Sequence, residues 1–309
     1  MAGLLNGMIK TLEAAQEAPR ELDLTLYPDG MSGLIEGNLA SFDTTPEDDS
    51  WRNQQYTHVS SLVNGICPRA QVIAKRFGVS LEPSLITGMK MIWAMGRSVE
   101  AHVRTALMNQ LPDQFYGRWQ CPCHKTIFEG TRTEALTIAP KCDYCGKRPL
   151  DYRELALFDE ELEISASLDM MLKLSKAKYH VIECKSISAK GWESVMSEGA
   201  KMDHKLQGGY YVRMLRMRQQ TEDVTGSVLY GLKDFKWGTP PYKAFDIPMR
   251  DAGLLAGFRM MEQVARDMKA ARALGDDIKT LPPRIGACPS AQSQVAKKCR
   301  ACSTCFAMN

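Results

Sequence analysis

Apolar and β-branched residues run almost unbroken through residues 162–175, LEISASLDMMLKLS, and again through 177–187, AKYHVIECKSI. This predicts two strands joined by a short polar link, a hairpin-like pair. A third strand is predicted at 227–235, SVLYGLKDF. Apolar positions three and four apart predict helices over 60–78, over 85–111, from about Glu198 to Arg218 and from about Asp251 to Leu274. Leu4, Leu5, Met8, Ile9 and Leu12 suit a further short amphipathic helix. Strands and helices mixed without a regular alternating rhythm predict an α+β or irregular α/β class. Residues 1–56 are otherwise poorly patterned, with an acidic loop TTPEDDS, and read as an appended segment. The organised part is 57–309.

Composition adds limits to this picture. A chain of 309 residues, 44% hydrophobic and 24% charged, has material for one large or two modest cores. No run approaches eighteen apolar residues, so no membrane span is expected. The first residues lack a basic leader, which places the protein in a cytoplasm. A net charge of +3 permits an acidic polymer as partner without demanding one.

The apolar strand at 177–187 carries an anomaly, the run Glu183-Cys184-Lys185. The pattern [D/E]-x-K is cheap, and five copies occur, starting at Glu183, Asp203, Asp234, Asp267 and Asp277. Only the first lies in a strand that should be buried. Period two puts Glu183 and Lys185 on one face and turns Cys184 to the other. The preceding strand carries Asp169, and folding the pair back brings Asp169 beside Glu183. Two carboxylates so close repel, and a divalent cation, Mg²⁺ or Mn²⁺, is the usual remedy. Such an ion, accepting a phosphate oxygen, suits cleavage of a phosphodiester, with Lys185 beside the attacking water.

Two helices supply further parts. In GRSVEAHVRTAL, Glu100 shares an apolar stripe with Gly96, Val103 and Leu107. In HKLQGGYYVRML, Gln207 and Tyr211 are four apart and share a face. In order, Glu100 in G-x-x-x-E, Asp169 in ASLD, Glu183-x-Lys185 and Gln207-x-x-x-Tyr211 resemble the successive motifs of PD-(D/E)XK nucleases of the RecB and lambda-exonuclease type. The resemblance covers about residues 57–309, and Glu at position 100 is closer to the lambda-like branch. It implies a restriction-endonuclease-like core with a mixed central sheet flanked by helices. It implies Asp169 and Glu183 as metal ligands, Glu100 as a supporting ligand and Lys185 as the catalytic lysine. Gln207 and Tyr211 would steer the lysine or the DNA. The implied activity is Mg²⁺- or Mn²⁺-dependent hydrolysis of DNA, as an exonuclease or end-processing enzyme of phage or mobile-element recombination or repair. Partners would be DNA and a recombinase, helicase or single-strand-binding protein. The alternative is a non-catalytic zinc or iron–sulfur protein that binds nucleic acid or serves as a scaffold.

Eight of the ten cysteines fall into two groups. Close C-x-C and C-x-x-C spacings in a reducing compartment point to metal rather than disulfides. In residues 118–150, Cys121, Cys123, Cys142 and Cys145 suit structural zinc, with His124 able to replace Cys123. Lys125, Arg132, Lys141, Lys147 and Arg148 make this insertion basic. In the tail, 288–305, Cys299, Cys302 and Cys305 suit a 4Fe-4S cluster, which needs a fourth thiolate. The phrase SSLVNGICPRA, with Cys67, resembles the start of cluster-bearing RecB-type nucleases, which implies Cys67 as that fourth ligand. Cys288 with the three tail cysteines is the other possibility, holding a cluster or a second zinc.

Overall fold

The computed structural model of the protein describes residues 56–79, 87–234, 241–273, 281–286 and 288–308. All lie in one compact unit, Asp48–Asn309. The helix expected near Leu4–Leu12 and the TTPEDDS loop fall outside the described residues. The chain runs through β1 (Thr57–His58), α1 (Val59–Val63), α2 (Pro68–Phe77) and the long α3 (Thr87–Gln110). There follow β2 (Phe115–Gln120), β3 (Ile127–Thr131), α4 (Arg132–Thr137), β4 (Asp151–Arg153) and β5 (Leu155–Asp159). Next come β6 (Ile164–Leu168), β7 (Met170–Lys173), β8 (Tyr179–Ile187), α5 (Ala189–Glu198) and α6 (Met202–Gln219). The last elements are β9 (Val224–Leu232), β10 (Tyr242–Asp246), α7 (Ala252–Ala273), α8 (Gln294–Lys298) and α9 (Cys302–Ala307).

The class is mixed α/β, as expected. A seven-stranded sheet runs in the order β10-β9-β8-β7-β2-β3, with β4 also paired to β2. Only β8 and β9 run parallel in it, since α6 carries the chain back between them. The expected hairpin is β7 with β8, antiparallel, Met170 opposite Ile182 and Met171 opposite Val181. The single strand expected at 162–175 is two. Asp169 forms a bend, and β6 before it leaves for a three-stranded sheet, β1-β6-β5. That switch is decided by partners distant in sequence, so an unbroken apolar run gives no sign of it.

Helices cover both faces of the large sheet. Val181, Val228 and Tyr230 meet Tyr210, Tyr211, Leu215 and Phe258 in one cluster, on the side of α6 and α7. Ile182 and Cys184 meet Val103 of α3 with Phe115, Trp119 and Met170 in another. Burying each such side chain contributes about 2 kcal/mol. The helix expected over 60–78 is broken at Gly65, whose φ of 75° a side chain would resist, and restarts at Pro68, a residue suited to a first helical position. The helix expected from Glu198 begins at Met202. A separate one, α5, precedes it, capped by Ser188, whose hydroxyl accepts the Gly191 N–H. Gly199, at φ 83° and ψ −171°, separates the two. β2 and β3 were hidden in a region dominated by cysteines, although β2 alternates buried and half-buried positions. β10 is mostly exposed and carries little hydrophobic signal.

Candidate active site

On β8, Glu183 and Lys185 share the face turned to α6, while Cys184 packs among the apolar side chains on the α3 side. The approach of α6 is made possible by Gly208. A Cβ there would stand 3.1 Å from Glu183 Cβ and 2.8 Å from Ile247 Cδ1. Gln207, beside it, accepts a hydrogen bond from Lys185 Nζ at 3.1 Å through Oε1 and donates through Nε2 to the Tyr211 hydroxyl at 2.8 Å. Gly208→Ala sets two effects against each other. Alanine favours a helix by about 1 kcal/mol over glycine, whereas overpacking costs about 1–3 kcal/mol. A net loss of about 1 kcal/mol is expected in thermal unfolding. Because the new methyl presses on Glu183, the loss of site function should exceed that change.

Asp169 occupies the bend between the end of β6 and the start of β7. Its Oδ2 accepts the Cys184 N–H at 2.8 Å, so the carboxylate fills a ladder position that a neighbouring strand would otherwise take. The Tyr152 hydroxyl donates to the Asp169 carbonyl oxygen at 2.9 Å and fixes the bend. Glu100 from α3 and Glu154 from the link between β4 and β5 complete a trio. One oxygen each of Glu100, Glu154 and Asp169 lies within 4.8 Å of the others. Arg104, one turn along α3, reaches Glu100 at 2.9 Å.

Glu183 is not part of that trio. Its side chain is fully buried, its Oε1 meets Lys185 Nζ at 2.5 Å, and its Oε2 has no hydrogen-bond partner among the described residues. Burial first, and Asp169 second, push its carboxyl above the ordinary range against the pull of Lys185. Burial presses the Lys185 ammonium down, but Glu183 and Asp169 outweigh it, so its pKa stands above the usual lysine value. Tyr211 is held well above the ordinary phenol range by burial, then by Glu183 and Asp169.

Of the expected residues, Lys185, Glu183, Gln207 and Tyr211 form one continuous chain of contacts, and Asp169 and Glu100 belong to the adjoining trio. Glu154 was not anticipated. Its one sequence signal is an acidic residue directly before the apolar run that becomes β5. The trio and the buried, half-satisfied Glu183 fit a hard divalent cation, which takes oxygen ligands at about 2.1 Å when it is Mg²⁺.

The cysteines of 118–150 meet at the end of β2. Cys121 Sγ lies 3.4 Å from Cys123 Sγ, which lies 3.5 Å from Cys142 Sγ. With Cys145 all four sulfurs fall within 4.8 Å of one another. A tetrahedral zinc with bonds of about 2.3 Å separates its sulfurs by about 3.8 Å, so the set fits that ion. His124 is outside the set. Its φ of 62° turns the chain, with its N–H donating to the Cys121 carbonyl at 2.8 Å, and Gly146 turns the other half at φ 67°.

In the tail, Cys67, Cys288, Cys299, Cys302 and Cys305 line one small cavity with Arg69 and Arg284. Arg69 Nε donates to Cys305 Sγ at 3.2 Å, and its other nitrogens donate to the carbonyls of Pro282 at 3.0 Å and Met308 at 3.2 Å. One guanidinium thus binds the start of α2 to the end of the chain.

None of the described helices is long and apolar enough to cross a membrane. No protein-family model matches the sequence, and no curated protein does. Among solved structures, the crystal structure of SSO0001 is 13% identical and matches over 77% of this chain and 88% of its own, with a TM-score of 0.34. A Eubacterium rectale protein provisionally described as an exonuclease is 12% identical over 82% of this chain and 92% of its own, with a TM-score of 0.41. Likenesses this slight leave the function to be argued from the site itself.

Proposed function

We propose that the protein is a metal-dependent nuclease that hydrolyses phosphodiester bonds in DNA. The observation that supports this is the cluster of one oxygen each from Asp169, Glu100 and Glu154, with the buried Glu183–Lys185 pair near enough for Asp169 to raise the Glu183 carboxyl. A structural ion pair at a strand end has no need of three further carboxylates or of the Gln207 contact that aims the ammonium. Asp169, Glu183 and Glu100 would hold the cation, with Glu154 beside them. When bound, the ion supplies Lewis-acid polarisation of the phosphate and a more acidic water.

The chain's own groups do the rest. Gln207, anchored on Tyr211, holds the Lys185 ammonium toward the site. Lys185 orients the attacking water and offsets charge building on the phosphate oxygens. Water adds to phosphorus, the bond to the 3′ oxygen breaks, and a 3′-hydroxyl and a 5′-phosphate result.

The two cysteine groups are closures rather than reaction centres. Four sulfurs at the end of β2 support structural zinc. The tail favours an iron–sulfur cluster over a second zinc, because among the described residues no three of its sulfurs come within 4.8 Å of one another. Zinc needs about 3.8 Å, so the wider cage, with Cys67 in its wall, suits a larger group.

Purified protein in Mg²⁺ or Mn²⁺ is expected to degrade linear DNA to products bearing 5′-phosphates, followed on denaturing gels. DNA binding with no cleavage in Mn²⁺ would instead favour the non-catalytic reading.

A further inference from the structure

His204 stands three residues before Gln207 and seven before Tyr211, so the three share one face of α6. Its ring is held by Tyr230. The Tyr230 hydroxyl, from β9, accepts the Lys201 backbone N–H at 3.0 Å and lies 2.8 Å from His204 Nδ1. A phenol has one proton to give, and Nδ1 is the acceptor within reach of it, which places the imidazole hydrogen on Nε2. Asp203 Oδ2 is 3.8 Å from Nε2, too far for a hydrogen bond, while Asp203 Oδ1 accepts the His204 backbone N–H at 3.0 Å. Nε2 has no hydrogen-bond partner among the described residues, and the side chain is 21% exposed.

The charged groups facing the ring are Asp203, Lys185 and Lys201. Burial, with the two lysines and against Asp203, brings its pKa down to about 4, so the ring is neutral at working pH. Tyr230 is also the β9 partner of Lys185 in the ladder, which ties this donor to the catalytic lysine through adjoining strands. A neutral, part-exposed ring held by Tyr230 one turn before Gln207, with no hydrogen-bond partner at Nε2 among the described residues, offers a donor with no internal use.

We propose that His204 contacts the substrate, its Nε2–H donating to a non-bridging oxygen of the backbone phosphate that flanks the scissile one, with Tyr230 as the residue that positions it. The proposal rests on the nuclease reading of the adjoining site and names a further part of it. A neutral donor orients the strand without adding charge that would slow release of the product.

The test compares wild type, His204→Phe, His204→Gln and Tyr230→Phe, all checked for unchanged thermal unfolding. Each is assayed for binding of short fluorescent oligodeoxynucleotides, single-stranded and duplex, in Ca²⁺ over a range of salt, and for cleavage in Mg²⁺. His204→Phe is expected to weaken binding about five- to tenfold and to raise KM more than it lowers kcat. The slope of log affinity against log salt should stay at the wild-type value, because no charge is lost. His204→Gln, which keeps an N–H near the same point, should retain most of the affinity, and Tyr230→Phe should fall between. Wild-type affinity in His204→Phe, a flattened salt slope, an equal loss in His204→Gln, or no binding by the wild type overturns the proposal. A wild type that binds but never cleaves refutes the nuclease reading and leaves the binding comparison to decide on His204.

Discussion

Lys185→Ala is expected to lower metal-dependent cleavage of DNA by about a thousandfold or more while leaving DNA binding largely intact. Two losses combine. The first is the ammonium that Gln207 holds and that the proposed mechanism sets against the phosphate. The second is the counter-charge of Glu183, whose buried carboxylate has Lys185 at 2.5 Å and an unpartnered second oxygen. Glu183 is already pushed up by burial and by Asp169, and Lys185 is the cation that pulls it back. Glu183 already stands at about 8 with that cation beside it; without it the carboxyl holds its proton still more firmly, and a protonated carboxyl is a poor ligand for Mg²⁺. The variant should therefore also bind the cation more weakly, as calorimetry would show. Folding is less affected, because a neutral carboxylic acid is cheaper to bury than an unpaired carboxylate. Rates on linear DNA in Mg²⁺, with anisotropy for binding, provide the check. Cleavage at the wild-type rate would remove Lys185 from the reaction and with it the central support for a nuclease.

The parts of this site that were legible in the sequence are those governed by short-range periodicity. Period two in a strand placed Glu183 with Lys185 and sent Cys184 the other way, and the antiparallel return set Asp169 against the Cys184 N–H of the same strand. Helical spacing put Gln207 with Tyr211 and Glu100 among Gly96, Val103 and Leu107. Contacts between elements were not legible. His204 and Tyr230 are 26 residues apart, and nothing in either segment indicates that α6 would set one against the other. Glu154 acquires its neighbours only because β6 leaves the large sheet at Asp169, a choice made by pairing with β1 and β5. The cysteines lie between these cases. Spacing identified the groups, but the exclusion of His124 and the inclusion of Cys67 with Cys288 around one cavity depend on backbone turns and on the Arg69 clasp.

Cys142→Ala is expected to remove one equivalent of bound zinc and to cost about 4 kcal/mol of stability, a fall in Tm on the order of 10 °C. Cys142 is 2% exposed and Cys121 is fully buried, so neither thiol can turn outward to compensate. The cost is larger than for an isolated surface knuckle because of where the sulfurs are attached. Cys121 directly follows β2, and β2 pairs with β3, β4 and β7 together. Trp119, two residues earlier, is buried against Phe115 and Tyr152 and donates its indole N–H to the Gly130 carbonyl at 2.9 Å. Loosening the end of β2 therefore disturbs the cluster under α3, and through Tyr152 the bend that presents Asp169. Cleavage should decline along with stability if the knuckle acts, as proposed, as a structural closure. Cys184→Ala gives the contrast, since a buried thiol outside either metal group should cost about 1 kcal/mol and leave the zinc content unchanged. Metal analysis by mass spectrometry with thermal unfolding of both variants separates the outcomes. Zinc retained in Cys142→Ala, or equal losses of stability in the two, would show that these four sulfurs do not hold a structural ion.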